Sequence, residues 1–260
     1  MITSSSNAQV KNVILLNKKA RARRQQGVFI AEGIKMFQEA PREWIEKVYV
    51  SESFAADADH APLLADISYE TVDDRIFAQM SDTQTPQGIL CVVKIPDYTI
   101  EEVLTGDRPL LLVLEDLQDP GNVGTILRTG EGAGVTGVIL SRNTVDLFNP
   151  KTIRSTMGSI YRMPFYCADD LGLVMDMLSQ RGIRTCAAHL RGEHFYTQED
   201  YCRPCAILIG NEGNGLSESL SSRADCLVRI PMAGKVESLN AAIASAVMMY
   251  EANRQRGIGR

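Results

Sequence analysis

In the stretch Ile230–Glu251, IPMAGKVESLNAAIASAVMMYE, an extended apolar segment passes through a glycine turn into a helix of small apolar residues. The sequence predicts that this helix starts at Ser238 and that Asn240 lies inside its first turn. A serine cap is common, because its hydroxyl accepts from free backbone N–H groups at a helix start. An asparagine inside the turn is unusual, because its amide competes with the backbone. A cap therefore accounts for Ser238, whereas local structure alone gives no reason for Asn240.

From Leu110 onward, apolar segments that read as strands alternate with segments that read as helices. The strands are continuous apolar runs, which are typical of a parallel sheet covered by helices on both faces. The sequence therefore predicts an α/β fold, in which ligands gather at the carboxyl ends of the strands. The predicted strands are LLLVLEDL, VTGVILS, MPFYC, IRTCAAHL, CAILIG and CLVRI.

The preceding part of the chain predicts a smaller α/β unit over residues 1–96. It contains an amphipathic helix over Asn7–Gln25 and the strands VFIAEG, IEKVYV and GILCVVKI. The acidic segment 97–108 is bounded by prolines, and we interpret it as a linker. Residues 109–260 then form the larger domain.

The composition predicts a globular, cytoplasmic protein. Of 260 residues, 45% are hydrophobic and 23% are charged, which is enough apolar side chain for a sizeable core. The N-terminus lacks the apolar core of a secretory signal peptide, since lysines bracket its short apolar run. Nowhere do about 18 apolar residues follow one another without a charge, so we expect no membrane span.

The net charge of −5 conceals a basic segment near the N-terminus. Between Lys11 and Arg24 the chain has six basic residues and no acidic one. A basic segment on an otherwise acidic protein fits contact with a phosphate backbone. The alternative is a solvated helix face without a partner, and the composition leaves both open.

The six cysteines, at positions 91, 167, 186, 202, 205 and 226, are expected to be free thiols in a reducing compartment. Cys202-Arg-Pro-Cys205 has the spacing of a metal-binding or redox pair. A zinc site needs about four ligands, and the sequence offers no second such pair and no close histidine pair. We therefore expect no metal.

The segment Gly132–Gly137, GAGVTG, matches the glycine pattern of dinucleotide-binding proteins. That pattern requires a strand before it and a helix after it. Here a helical segment precedes and a strand follows, so we predict instead that Gly134 ends the helix.

Two other polar segments follow predicted strands, as the stretch around Ser238 does. In DPGNVGTILR, Asn122 falls at a helix start and Arg128 follows six residues later. In LIGNEGNGLS, Glu212 lies among glycines, which allow a backbone to approach a ligand closely. Each segment alone could be an ordinary cap or turn.

In this order and spacing, the three segments resemble the motifs of the SpoU (TrmH-type) family, the S-adenosylmethionine-dependent RNA ribose 2′-O-methyltransferases of the SPOUT class. The resemblance covers about Leu110–Ala252. The segment KKARARRQQGVFIAEG resembles the ribosomal-protein-like substrate-binding domain that precedes many of these enzymes. The resemblance implies a C-terminal trefoil knot in the parallel-sheet domain, a topology otherwise nearly absent from proteins.

The resemblance also implies the site residues and the partners. The methyl donor, S-adenosylmethionine, would be bent into the knot and held largely by backbone groups. Its expected contacts are Leu190, Gly210, Asn211, Ile230, Met232 and Leu239. The expected catalytic residues are Asn122, Arg128, Glu212, Ser238 and Asn240. The residues expected to contact RNA are Lys18, Lys19, Arg21, Arg23 and Arg24. The family implies a homodimer that forms through the knotted domain.

We interpret Arg128 as a clamp on the phosphate and ribose of the target rather than as the base, because a guanidinium stays protonated. Asn122 would orient the 2′-hydroxyl, and Glu212 and Ser238 would hold the network. Ribosomal RNA is the expected substrate because of the N-terminal domain. Transfer RNA as the substrate, methylation of a base and a non-catalytic RNA-binding protein are the alternatives.

Overall fold

A computed structural model describes residues 1–257, and the chain forms two compact units. The first consists of Met1–Asp97 and Phe148–Tyr161, and the second of Tyr98–Leu147 and the chain from Arg162 onward. Residues 148–161 therefore belong to the first unit, although they lie within the domain that the sequence analysis began at residue 109. Among the helices of residues 1–257, none combines the length and the apolar composition that crossing a bilayer requires.

The first unit is built on a four-stranded mixed sheet. Its strands are β1 (Val28–Glu32), β2 (Ile45–Ser51), β3 (Glu70–Val72) and β4 (Ile89–Lys94). They lie in the order β1-β4-β2-β3, and β4 is antiparallel to both of its neighbours. The helices of this unit are Ala8–Lys18, Ala20–Gln26, Ile34–Glu39, Glu52–Ala56, Ala61–Leu64, Asp74–Met80 and Pro150–Thr156.

The N-terminal helix predicted over Asn7–Gln25 is two helices, Ala8–Lys18 and Ala20–Gln26. They meet at Lys19, whose backbone is extended, with φ −127° and ψ 107°. The sequence has no glycine or proline at this point, so the two helices read as one.

Arg23 is buried, with 3% of its surface exposed, and its guanidinium donates to the backbone oxygens of Leu16 and Asn17. These carbonyls lie in the last turn of the first helix, where they have no partner within that helix. Arg23 therefore caps the first helix across the break. This role contradicts the predicted contact between Arg23 and RNA, because a buried guanidinium bound to carbonyls does not present its charge to a phosphate.

The second unit is built on a seven-stranded sheet. Its strands are β5 (Leu110–Leu114), β6 (Gly137–Ser141), β7 (Phe165–Ala168), β8 (Arg184–Ala188), β9 (His194–Phe195), β10 (Cys205–Ile209) and β11 (Cys226–Arg229). They lie in the order β7-β6-β5-β10-β8-β11-β9, and every pair of neighbours is parallel. The predicted α/β fold with a parallel sheet is confirmed. Its helices are Ile100–Val103, Pro120–Ala133, Leu171–Gln180, Glu218–Ser221 and Ala241–Arg256.

The segment 97–108, interpreted from the sequence as a linker, is packed secondary structure. It contains the short helix Ile100–Val103, which begins with a capping box between Thr99 and Glu102. Ile100, Val103 and Leu104 are buried in the core of the second unit. Apolar side chains at helical spacing, rather than the flanking prolines, decide its structure.

The long helix Pro120–Ala133 begins and ends as its sequence indicates. Asp119 caps it by accepting from the N–H of Asn122, and Gly134 ends it in the left-handed conformation, with φ 86°. Since β6 follows, the prediction that GAGVTG ends a helix is confirmed.

The final helix, Ala241–Arg256, starts later than the sequence analysis expected. Its cap is Asn240, whose side-chain oxygen accepts from the N–H groups of Ala242 at 2.8 Å and Ile243 at 3.3 Å. Asn240 therefore precedes the first turn instead of lying inside it, and Ser238 is an exposed residue before the cap. The predicted conflict between the amide and the helix backbone does not arise.

Candidate active site

A cleft of about 1130 Å³ opens at the carboxyl ends of β8, β10 and β11. Its walls are the turn after β8, the glycine-rich turn after β10 and the segment between β11 and the final helix. The structure brings all the residues expected to hold the cofactor into this one cleft: Leu190, Gly210, Asn211, Ile230, Met232 and Leu239. Glu212 and Ser238 line the cleft as well.

Gly210 and Asn211 shape the turn after β10. A Cβ at Gly210 would lie 2.1 Å from the backbone of Gly215, so a residue with a side chain does not fit there. Asn211 donates to the backbone oxygen of Asp116 at 2.7 Å and accepts from the N–H of Gly213 at 2.9 Å. The turn is therefore tightly closed and anchored to the end of β5.

Glu212 connects this turn to the start of the helix Pro120–Ala133. Its carboxylate accepts from the backbone N–H groups of Gln118 at 3.0 Å and Asp119 at 3.1 Å, and from the side-chain amide of Asn122 at 3.0 Å. Burial raises the pKa of Glu212, but these hydrogen bonds outweigh it and hold the pKa below its ordinary value. The group is therefore a carboxylate at neutral pH and can only accept.

Asn122 in turn accepts from the side-chain amide of Asn240, with 3.0 Å between Oδ1 and Nδ2. Because Glu212 only accepts, Asn122 must turn its nitrogen towards it and its oxygen towards Asn240. Because the oxygen of Asn240 accepts from the helix backbone, Asn240 must turn its nitrogen towards Asn122. The orientations of both amides, which hydrogen-bond partners alone can assign, are thus fixed from both ends.

Two acidic residues at the end of β5 also hold the site together, and the sequence analysis did not single them out. Glu115 accepts from the N–H and the hydroxyl of Ser217 at 2.7 Å and 2.6 Å. Asp116 accepts from the hydroxyl of Ser141 at 2.6 Å and has a left-handed backbone, with φ 54°. A non-glycine residue in this region costs energy and is often found near functional sites. Their position directly after a buried strand was the available signal.

Arg128 lies on the helix Pro120–Ala133, less than two turns after Asn122, and is exposed. Its side chain makes no hydrogen bond or ion pair with any residue in the described range 1–257. Of the five residues expected to be catalytic, the structure joins Glu212, Asn122 and Asn240 by hydrogen bonds. Arg128 and Ser238 are left with exposed side chains outside this chain of contacts.

Four of the five basic residues expected to contact RNA are exposed on the two N-terminal helices: Lys18, Lys19, Arg21 and Arg24. Their charges face solvent in the first unit. Their contact with RNA stays a prediction.

The pair Cys202 and Cys205, considered above as a metal-binding or redox pair, does not form a cluster within residues 1–257 of the structure. Cys202 is exposed and Cys205 is buried. Instead, the sulfur atoms of Cys186 and Cys226 and a carboxylate oxygen of Glu199 lie within 4.8 Å of one another. Glu199 also accepts from Arg184 at 3.0 Å, so this carboxylate already has a cationic partner.

Comparison with known proteins identifies relatives of both units. The SpoU rRNA Methylase family matches residues 109–250, and an MRM3-like substrate binding domain matches residues 7–91. The 23S rRNA (guanosine(2553)-2'-O)-methyltransferase RlmP of Bacillus subtilis is 32% identical over 251 residues, which are 96% of this chain and 97% of that protein.

Solved structures with the same fold include the SpoU methyltransferase AviRb of Streptomyces viridochromogenes in complex with AdoMet. It aligns with a TM-score of 0.89 at 27% identity, over 98% of this chain and 100% of its own. An AdoMet-bound rRNA methyltransferase from Sinorhizobium meliloti aligns with a TM-score of 0.84 at 30% identity, over 97% of each chain.

Proposed function

The chain belongs to the SpoU rRNA methylase family, and from this premise we propose that it transfers a methyl group from S-adenosylmethionine to a ribose 2′-hydroxyl of large-subunit ribosomal RNA. The observation that carries the proposal is the chain of hydrogen bonds Glu212–Asn122–Asn240 beside the cleft. These bonds fix the side-chain amide of Asn122 next to a ligand site. None of the three residues is a covalent nucleophile, which favours direct transfer to the substrate.

The residues of the cleft fit S-adenosylmethionine. Leu190, Ile230, Met232 and Leu239 offer apolar contacts to an adenosine, and the tight turn at Gly210 leaves backbone groups close to the cleft. When bound, the donor supplies a methyl group activated by the sulfonium. Its sulfur would leave as a neutral thioether, so the residues of the cleft need not supply an acid.

The weak nucleophile is the difficult partner, because a ribose hydroxyl must be aligned and must give up or share its proton. The amide oxygen of Asn122 has two lone pairs. Asn240 occupies one of them, and the other can accept from the 2′-hydroxyl. Asn122 would thereby direct a lone pair of the hydroxyl oxygen towards the methyl group. An amide oxygen is too weak a base to take the proton, which would pass to water or to the neighbouring RNA phosphate as the methyl group is transferred. Arg128, exposed and without an ionic partner in residues 1–257, would clamp the neighbouring phosphate.

We also propose that the segment before the final helix is threaded through a knot. Very close approaches of the backbone support this topology. A Cβ at Gly192 would lie 2.6 Å from the backbone of Val228 and 2.7 Å from that of Arg229. A chain that packs this tightly around β11 has room only for glycine at that point.

A homodimer through the final helix is the third part of the proposal. Ile243 and Tyr250, seven positions apart on one helix face, are each 52% exposed, whereas Met248 and Met249 are buried. An apolar face that this chain does not cover fits a second copy of the chain. We place the protein in the cytoplasm, since its six cysteines are free thiols.

The decisive experiment incubates the purified protein with labelled S-adenosylmethionine and unmodified 23S ribosomal RNA transcribed in vitro. We expect label in dinucleotides that resist alkaline hydrolysis, because only a blocked 2′-hydroxyl stops the cleavage. Label lost from these dinucleotides but kept in free nucleotides would indicate methylation of a base. Label on transfer RNA alone would identify transfer RNA as the substrate. No label on either RNA would support a non-catalytic RNA-binding protein.

A further inference from the structure

A guanidinium lies over an aromatic ring at the edge of the cleft. Phe195 and Arg229 are register partners at the last positions of β9 and β11. The Cζ atom of Arg229 lies 5.0 Å from the centroid of the Phe195 ring. Both residues line the cleft, and 39% of Phe195 is exposed although it is a large apolar side chain.

The charge of Arg229 has no acidic partner among residues 1–257. The other arginine of the cleft, Arg191, differs in this respect, since it pairs with Glu218 at 2.9 Å. The carboxylate of Glu212 is occupied by three N–H donors. Arg229 is therefore a cation held in place by a ring and available to an anion.

The methyl donor is a poor match for this cation, because it carries a sulfonium and an ammonium against a single carboxylate. RNA is a polyanion with a base on every nucleotide, and single-stranded RNA is bound by stacking on aromatic and guanidinium planes. The size of the cleft agrees with a second ligand. Its volume of about 1130 Å³ exceeds the range of roughly 300–1000 Å³ that is usual for one small-molecule site.

We propose that Phe195 and Arg229 form a nucleotide platform for the RNA substrate. The exposed face of the Phe195 ring stacks on a base next to the target ribose, and Arg229, on the other face of the ring, binds a phosphate. The platform lies on β9, the last strand of the sheet, so the RNA strand enters the cleft over that edge. This inference rests on the proposed function, since it takes RNA as the ligand of the same cleft.

The test compares Phe195→Leu, which removes the ring, with Phe195→Trp, which keeps a stacking surface. Binding of unmodified 23S ribosomal RNA and binding of S-adenosylmethionine are measured separately, the first by fluorescence anisotropy and the second by calorimetry. We expect Phe195→Leu to weaken RNA binding by roughly ten- to a hundredfold, since that is what one stacked base contributes. Phe195→Trp should stay near the unaltered protein, and the affinity for the donor should change less than twofold in both.

The charge is tested with Arg229→Gln and Arg229→Lys. If Arg229 binds one phosphate of single-stranded RNA, Arg229→Gln should reduce the slope of log affinity against log salt by about 0.7. Arg229→Lys should keep that slope. The matched control is Leu173→Ala, an apolar side chain of the second unit that is 60% exposed outside the cleft, and it should change neither affinity.

Two results would overturn the platform. In one, Phe195→Leu weakens binding of S-adenosylmethionine and leaves RNA binding unchanged, which would assign the ring to the adenine of the donor. In the other, neither affinity changes. Because RNA binding is measured without turnover, the platform can stand even where no methyl transfer is detected, and the proposed function then fails alone. A melting temperature for each variant shows that an affinity loss is not a folding loss.

Discussion

The side-chain amide of Asn240 donates to the side-chain oxygen of Asn122 at 3.0 Å, across 118 positions of the chain. One residue caps the final helix and the other stands in the first turn of the helix Pro120–Ala133. The contact therefore makes the start of the final helix part of the site rather than a neighbour of it. It also separates two roles of Asn240 that substitutions can test.

Asn240→Ser and Asn240→Ala should differ in stability but not in activity. Serine can still cap the helix, whereas alanine cannot, so we expect only Asn240→Ala to lose about 1 kcal/mol of unfolding free energy. Neither side chain can hold the amide of Asn122, so both variants should lose at least about tenfold in kcat. Urea denaturation and single-turnover kinetics measure the two effects. A fully active Asn240→Ser would show that the cap alone matters.

Glu212→Gln should lose turnover because a glutamine can donate as well as accept, which frees the amide of Asn122 to rotate. The variant should also have a distinct pH dependence of stability. The pKa of Glu212 is held below its ordinary value by hydrogen bonds that outweigh burial. The stabilisation that the Glu212 carboxylate contributes to the folded protein is therefore complete above the ordinary glutamate pKa of about 4.3. It is lost as the pH falls through the lower pKa that Glu212 has in the folded protein.

The unfolding free energies of the unaltered protein and of Glu212→Gln should thus converge as the solution is acidified below that pH. Denaturation curves from neutral to acid pH measure the difference. A difference that stays constant over this range would mean that the charge of Glu212 does not stabilise the turn.

Arg128→Lys should abolish most of the methyl transfer, because a lysine is a point charge that cannot bind phosphate and ribose in a bidentate fork. The side chain is exposed and makes no ion pair within residues 1–257, so the unfolding free energy should change by less than about 0.5 kcal/mol. The affinity for S-adenosylmethionine should not change. Turnover close to that of the unaltered protein would refute the clamp.

Arg23→Ala and Arg24→Ala form a matched pair on one helix with opposite expected effects. Arg23 holds the carbonyls that end the preceding helix, so its loss should cost roughly 1–3 kcal/mol of stability by leaving buried acceptors without a donor. Arg24 is exposed, so its loss should leave stability unchanged and weaken RNA binding in a salt-dependent way. Equal stability in the two variants would contradict the buried role of Arg23.

Ile243→Asp should convert a homodimer into a monomer, because it places a charge on the exposed apolar face of the final helix. Light scattering at micromolar concentration measures the mass. Leu173→Asp is the control, as another exposed apolar residue on a helix, and should not change the assembly. An unaltered protein that is already a monomer would remove the basis of this prediction.

The sequence predicted those features that depend on continuous patterns. Local sequence patterns were sufficient to predict the buried strands β5 and β10 and the polar segments that follow strands. They also predicted that a helix precedes Gly134 and a strand follows it. The resemblance to a family then grouped Asn122, Glu212 and Asn240, which the structure joins by hydrogen bonds.

What the sequence did not predict depends on contacts between distant segments. Arg23 reads as one more charge in a basic run, and only the break at Lys19 turns it towards carbonyls. The two-residue strand that contains Phe195 exists because it pairs with β11, so no local pattern marks it. Likewise, Ser238 and Asn240 are both suitable helix caps, and only tertiary contacts determine that Asn240 caps the final helix.

Asn240 both caps the final helix and holds the amide of Asn122, which would couple the binding of the two substrates. Ile230 and Met232 lie in the same short segment that ends at Asn240, and both line the cleft. A donor bound against them would constrain the segment that carries the cap, and Asn240 orients the amide of Asn122 that is proposed to bind the ribose. We therefore expect the two substrates to bind cooperatively through Asn240, which neither needs to contact, with each raising the affinity of the other by the same factor.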